Sequence, residues 1–591
     1  MINYFYKIFL KYYIKTRYEY KNLNIISSKE MFSRMVSHQK KMPDFLGFGI
    51  KLVSSIFLIL FCIKKFIKPK YSLINAINRT RASNILTLRN LIRFHDSLFE
   101  VAHIEEKKIQ NKSKIKFTNQ TDLFDFIIIG SGPGGAISAK IIQNSNLNSC
   151  IIEKGDNWKN KLPDFSYNQM LHQYNYGGIT TTLGNANIAY TEGSTFGGGS
   201  EINSGLYHRT PENILKSWKK TFSLKSTLSD DLSPHFESIE KKLCVSYFPD
   251  GLLPKASLKL KEGSEDLNLE VREIPRWYKY DNDKSLNGMK MTMSRTYLKD
   301  YKNDGGMVFH NTKVKKIKKI NSIWEIHLDN NEKNEILRSK NVILSAGAIG
   351  TPQILLKSNL SEKAGNRIQM HPTIKVVALF DEDINSKDMG VPVHQVKEFG
   401  SEYSFGCSIS SKTYLKLAML DHFNDREIVN DNWKKMAIYY VMIRPQGYGK
   451  IKNYPFFNDP IIKYHLTNLD KRNLTNGLKL LCKILMKAKA KIVFPCVYNS
   501  PIIKTMNDIN KLPKVLSMQD SSLMSVHLFS SCPIGEDKKK CVANSYGKVF
   551  DHDGLYIADG SMLPTAPGVN PQGSIMALTH RNIQKIITPV S

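Results

Sequence analysis

Three glycines and a carboxylate carry the clearest chemistry in this chain. Gly130, Gly132 and Gly135 form a Gly-x-Gly-x-x-Gly turn, and Glu153 follows 18 residues after the last of them. That spacing suits a dinucleotide. The first glycine permits a tight turn, the second lets the backbone approach a pyrophosphate, and the third lets the following helix pack closely on the preceding strand. A carboxylate about 20 residues further on accepts hydrogen bonds from a ribose.

Such a turn works only between a buried strand and a helix, and the flanking residues predict both. Asp125 to Ile129 is the short apolar run of a parallel strand buried on two faces. Ala136 to Gln143 reads as a helix whose first amides and positive dipole end meet the pyrophosphate. Ser149 to Glu153 reads as a second strand. Three later segments repeat the pattern. Residues 197 to 209 are too glycine-rich for a plain helix and suggest backbone lying against a ligand. Asn341 to Pro352 is an apolar strand ending in small residues, with a helix expected from about Gln353. Gly554 to Ser561 gives strand, carboxylate and turn, and Asn570-Pro571 opens a final helix, Ser574 to Ile587.

These segments are expected to converge on one cofactor. The fold class is therefore α/β, with a discontinuous Rossmann-like domain over 121–215, 293–370 and 520–591. Residues 216–292 and 371–519, richer in charges and aromatics, are expected to form an α+β substrate domain with an antiparallel sheet, inserted twice into the first.

Charge and apolar patterning set the first 120 residues apart as a basic, helical N-terminal extension. They hold 23 Lys and Arg against 7 Asp and Glu, about half of the formal net charge of +31. No nucleic-acid module accompanies that charge, so no nucleic-acid partner is expected. Phe45 to Ile63 is the one strongly apolar segment, but its uninterrupted core, Leu52 to Ile63, has 12 residues. A spanning helix needs about 20. A buried or interfacial helix is expected instead, with Lys64, Lys65, Lys68 and Lys70 suited to an anionic lipid surface. Lys112 to Gln120 reads as a polar connector. The first residues lack the order of a secretory signal, and the eight cysteines contain no Cys-x-x-Cys pair and no zinc spacing. A cytoplasmic, metal-free protein with peripheral membrane contact is expected.

From about residue 121 onward the chain resembles the glucose-methanol-choline (GMC) flavoprotein oxidoreductases. The resemblance rests on Gly130 to Gly135, on Gly197 to Arg209 with Asn203, on Leu344 to Pro352, and on His527 to Gly535 followed by Asp559 to Pro564 and Asn570-Pro571. It implies FAD and a substrate-domain sheet roofing the flavin. It also implies cofactor contacts from Gly198, Ser200, Asn203, Ala346, Gly347, Asp559, Gly560 and Pro571, with Val314 meeting the adenine. Members with covalent flavin carry histidine just before the asparagine of the glycine block. Here that residue is Ile202, so dissociable FAD is expected.

Oxidising an alcohol requires a base within hydrogen-bond reach of the hydroxyl while hydride leaves the carbon. His527 stands at the family's catalytic position, and Asn570, 43 residues later, matches the second member of its His/Asn pair. The Asn570-Pro571 turn would also aim helix amides at the reduced flavin. His371-Pro372 is read as a domain junction and Cys532 as packing. The expected activity is FAD-dependent oxidation of a CH–OH group. A nicotinamide dehydrogenase and a non-catalytic membrane-surface or assembly protein are the alternatives. The motifs are compatible with long-chain, sugar or polyol, sterol and choline-like alcohols, and with oxygen, a quinone or a redox protein as electron acceptor.

Overall fold

The computed structural model describes residues 1–21, 26–103 and 123–588, apart from short stretches at 159–160, 165, 227–228, 250, 252, 281–287, 330–334, 387–389 and 401. The connector expected at 112–120 lies outside the described residues.

Five helices form the N-terminal unit: α1 (Ile2–Lys21), α2 (Ser28–Gln39), α3 (Asp44–Ile67), α4 (Leu73–Arg81) and α5 (Leu86–Ala102). Aromatic and aliphatic side chains at helical spacing, among them Phe9, Tyr13, Met31, Ile92 and Phe99, fill a core between them. At 24 residues α3 outruns its apolar core and is about 36 Å long. Its N-terminal end is tied to the rest of the chain, where Asp44 accepts from the Asn458 amide at 2.7 Å. Its C-terminal end leaves Ile59, Leu60, Ile63, Phe66 and Ile67 exposed.

A buried ionic seam docks this unit. Glu100 meets Arg17 at 3.1 Å and Arg426 at 3.3 Å, and Asp96 meets Arg81 at 2.9 Å. The guanidinium groups of Arg81 and Arg426 cover the Phe423 ring at 3.6 and 3.8 Å.

The first glycine turn lies in a seven-stranded mixed sheet. β1 (Leu123–Ile129) pairs in parallel with β2 (Ser149–Ile152) on one side and with the strand Ile336–Leu344 on the other. Met307–Phe309 extends the sheet beyond β2, and Leu555–Ile557 pairs in parallel with Val342 to Leu344. Segments separated by more than 400 residues thus share one sheet. Between β1 and β2 runs α6 (Pro133–Asn144), which starts at the proline so that Gly134 and Gly135 sit in its first turn. The helix expected from Gln353 begins earlier, at Gly347, and contains Pro352. Proline cannot donate to the Ala348 carbonyl four residues back. The Ser531 hydroxyl donates to it instead, at 2.6 Å.

The second sheet has eight strands, with Thr373–Leu379 paired antiparallel to Met436–Ile443, Ile492–Pro495 and Leu523–Ser525. The helix Asn468–Lys487 covers one face, its start fixed by a capping box between Thr467 and Asp470. Two placements differ from expectation. Ile188–Tyr190 and Leu523–Ser525, expected in the dinucleotide domain, are strands of this second sheet because Leu523 and Met524 pair with Ile374 and Thr373. Trp218, Leu232 and Phe236, expected in the substrate domain, pack into the core around β1; the helix Ser229–Lys242 lies against the C-terminal helix Gln572–Ile587, and Trp218 donates to Thr565 at 2.8 Å.

Candidate active site

A cavity of about 1340 Å³ runs between the two sheets, bounded on its outer side by α3 and α5. It exceeds the roughly 300–1,000 Å³ of a pocket for one drug-sized ligand. Gly130, Gly132, Glu153, Gly198 and Asn203 line it. So do Val314, Ala346, Gly347, Asp559, Gly560 and Pro571, together with His527 and Asn570. Gly135 and Ser200 are not on its wall. Ser200 is buried, donating to the Gly197 carbonyl and accepting from the Met293 amide, so it holds the glycine block from behind.

The glycines divide by what a side chain would meet. Gly130 has φ +103°, and a Cβ there would stand 2.2 Å from the Ser345 carbonyl oxygen. A Cβ on Gly135 would stand 1.9 Å from the Gly130 carbonyl oxygen, which is the close helix-on-strand packing. At Gly132 and Gly199 nothing lies within 4 Å, so each opens a cradle into the cavity.

Both carboxylates are anchored. Glu153 accepts from the Ser131 amide at 2.9 Å and hydroxyl at 2.7 Å through one oxygen, and from the Gly155 amide at 2.7 Å through the other. The oxygen that faces Gly155 keeps a lone pair for a ligand. Asp559 accepts from Gly347 and Thr351 through one oxygen and from Ser561 through the other. Burial pushes its carboxyl up, against the pull of those hydrogen bonds. Asn203 donates to Gln572 at 2.6 Å, tying the glycine block to the last helix. Buried Lys290, absent from the sequence reading, donates to the Glu201 and Asn203 carbonyls at 2.9 Å and fixes the same block.

At the far end of these turns stands His527. Its Nε2 lies 3.2 Å from Asn570 Nδ2, and its Nδ1 lies 3.1 Å from His371 Nδ1. Gly568 donates its backbone N–H to His371 Nε2 at 3.2 Å. His371 is therefore not a mere junction residue but a direct partner of His527, through its place at the head of the strand Thr373–Leu379. Burial and the nearby Lys397 ammonium hold the His527 imidazole down to about 3, so the ring is neutral at neutral pH. Lys397 itself is lowered to about 7 by burial. Asn570 Oδ1 is a buried acceptor without a hydrogen-bond partner among the described residues. A neutral imidazole beside an amide, on the wall of a cavity edged by phosphate-type turns, can orient a hydroxyl and move its proton.

Two models of a family described as GMC oxidoreductase match residues 170–373 and 453–579. An uncharacterized GMC-type oxidoreductase of Sinorhizobium fredii is 32% identical over 471 residues, covering 77% of this chain and 93% of that protein. A long-chain-alcohol oxidase of Arabidopsis thaliana is 24% identical over 519 residues, covering 80% and 70%. Among solved structures, formate oxidase of Aspergillus oryzae superposes with a TM-score of 0.63 at 14% identity, over 79% of this chain and 99% of that one. Pyridoxine 4-oxidase from Mesorbium loti gives 0.60 at 13%, over 78% and 99%. At these identities the two structures speak to the fold.

Proposed function

The chain belongs to the GMC oxidoreductase family, and on that premise we propose that it oxidises an alcohol CH–OH group to a carbonyl with FAD as cofactor. The observation that carries the proposal is the His527–Asn570 pair, 3.2 Å apart on the wall of the cavity that the glycine turns border. The residues present fit FAD. Gly132 and Gly199 leave open cradles, and the helix after Pro571 begins at the cavity.

In this reading Gly130, Gly132, Gly198 and Asn203 hold the dinucleotide with Glu153, Val314, Ala346, Gly347, Asp559, Gly560 and Pro571. FAD, when bound, supplies the hydride acceptor. His527 takes the hydroxyl proton at Nε2, and Asn570 orients the alcohol oxygen and stabilises charge developing on it. Ile202 cannot bond to the flavin, so the cofactor is held without a covalent link. The long-chain-alcohol oxidase relative supports an alcohol as substrate.

The reading extends to location. We propose that the protein is cytoplasmic and rests on an anionic membrane through the outer end of α3, where exposed Leu60, Ile63, Phe66 and Ile67 stand beside Lys64, Lys65, Lys68 and Lys70.

The deciding experiment follows the visible spectrum of the purified protein anaerobically while aliphatic, sugar, polyol, choline and sterol alcohols are added. Flavin bands that bleach with one class support the proposal. Flavin that every class leaves oxidised favours the non-catalytic alternative.

A further inference from the structure

Beyond the His527 end the cavity continues along the strand Thr373–Leu379, and one residue there does not match its surroundings. Side chains alternate along a strand. Ile374, Val376 and Ala378 point into the core beneath the helix Asn468–Lys487. Thr373 and Lys375 point the other way and line the cavity. The next residues on that face, Val377 and Leu379, are sealed under Leu415 and Met419. Lys375 therefore marks the closed end of the cavity along this strand.

Its environment lacks a counter-charge. Among the described residues no carboxylate lies within ion-pair distance of Lys375, and burial lowers its ammonium from the usual lysine range. The titratable neighbour that acts on it is the Cys496 thiol, itself pushed up by burial and so neutral. Arg93, another cation on the same wall, is by contrast matched by the Asp421 carboxylate. Ile50, Val53, Phe94, Leu417, Met442 and Met518 line the cavity that holds both Lys375 and the catalytic pair. An ammonium held in such a place without an anion is costly, and an anion arriving with the ligand offsets that cost.

Distance defines the ligand. Lys375 lies four residues after His371, about 13 Å at the rise of extended chain. The His371 and His527 rings lie 5.2 Å apart, centre to centre. An extended chain of about ten carbons reaches from one end to the other. A single lysine balances a single negative charge, the charge of a carboxylate, and the hydroxyls of Thr373 and Tyr440 line the same cavity.

We infer that Lys375 is a specificity residue that receives the terminal carboxylate of an ω-hydroxy acid of about ten carbons, whose hydroxyl end lies at His527 and Asn570. This rests on the alcohol-oxidation reading above and narrows its substrate class. The reaction is the same: the carbinol carbon loses hydride to the flavin, the hydroxyl loses its proton, and a terminal aldehyde forms, while the carboxylate stays unchanged.

The test has two arms on the flavin-loaded protein. Calorimetric titration with decanoate and with 1-decanol at pH 7 reads binding alone. Decanoate is expected to bind at least tenfold more tightly than 1-decanol, to lose that advantage in Lys375→Met and to regain it in Lys375→Arg. Equal decanoate binding by wild type and Lys375→Met overturns the inference. The second arm compares anaerobic flavin reduction by 10-hydroxydecanoate and 1-decanol. A preference for the hydroxy acid that Lys375→Met erases supports the inference, and equal kcat/KM for both in the wild type, or a preference that survives in Lys375→Met, overturns it while leaving alcohol oxidation standing. Flavin reduced by neither compound overturns the inference, and the full alcohol panel then decides whether alcohol oxidation stands.

Discussion

His371 and His527 face each other Nδ1 to Nδ1 at 3.1 Å, so only one of the two rings carries a proton at that contact. The Gly568 amide decides which in the resting state. It points its proton at His371 Nε2, so the His371 proton sits on Nδ1 and His527 Nδ1 accepts. His527 is then protonated at Nε2, and the Asn570 amide satisfies its unpartnered oxygen by turning Oδ1 towards that proton. To act as a base at Nε2, His527 must hold its proton on Nδ1 instead and donate it to His371, which opens the Gly568 bond. One such bond is worth about 1 kcal/mol. Base catalysis is worth about 100- to 10,000-fold, so the shift does not block the step.

His527→Ala is accordingly expected to slow flavin reduction by alcohol by about 100-fold or more while FAD stays bound. His371→Ala removes the partner that fixes the His527 ring through Nδ1 in either tautomer and is expected to cost about tenfold through lost orientation. Stopped-flow reduction measures both rates. The ¹⁵N chemical shifts of His527 in His371→Ala distinguish a lost tautomer from a general loss of packing, since only the former moves them with the fold intact.

Substitutions at two glycines of one motif should fail in different ways. Gly132→Val is expected to fold and remain colourless, because its side chain enters the open cradle where a pyrophosphate would lie. Gly135→Ala is expected not to fold, because its Cβ would press on the Gly130 carbonyl at 1.9 Å. Circular dichroism with flavin absorbance separates the two. A folded, yellow Gly132→Val protein would remove that turn from the cofactor site.

Ile202 predicts that acid precipitation leaves the yellow colour in the supernatant. A pellet that keeps its flavin absorbance after washing would mean attachment through some other residue.

Acid should unfold the protein early. His95 is fully buried, with Nδ1 on the Leu91 carbonyl at 2.8 Å, and burial lowers it to about 4. Burial likewise lowers His310 and His394 to about 4. The folded value lies below the unfolded one of about 6.5. The unfolded chain therefore binds more protons as pH falls, and stability present above pH 6.5 is lost between about 6.5 and 4. Thermal melts across that range test this. A melting temperature constant from pH 7 to 4.5 would contradict it.

The outer end of α3 predicts co-sedimentation with vesicles containing phosphatidylserine, weakened by salt. Ile63→Glu with Phe66→Glu is expected to abolish it without altering flavin content. Equal sedimentation of the double variant would place any membrane contact elsewhere.

The sequence made the dinucleotide turn legible because its chemistry is local: Gly130, Gly132 and Gly135 must all stand within six residues. His527 and Asn570 were legible through motifs that the family keeps together. Lys290, Lys375 and His371 were not. Each acquires its meaning from chain brought close by the fold, Lys290 from the glycine block nearly 90 residues away and His371 from a histidine 156 residues on. The early start of the helix Gly347–Lys357 was hidden similarly, since the hydroxyl that rescues Pro352 belongs to Ser531. The length of α3 was underestimated because Lys51, Lys64 and Lys65 interrupt its apolar run without interrupting its backbone hydrogen bonding.

The charged seam between the N-terminal helices and the body has a historical consequence. Glu100 and Asp96 sit on one side with Arg17 and Arg81, and Arg426 and Phe423 sit on the other. Removing one partner of such a group strands a charge away from water. Drift at either side is therefore tolerated only in matched pairs, and the helices cannot be transplanted onto a relative that lacks Phe423 and Arg426. The N-terminal helices and the body thereby constrain each other's residues at this seam.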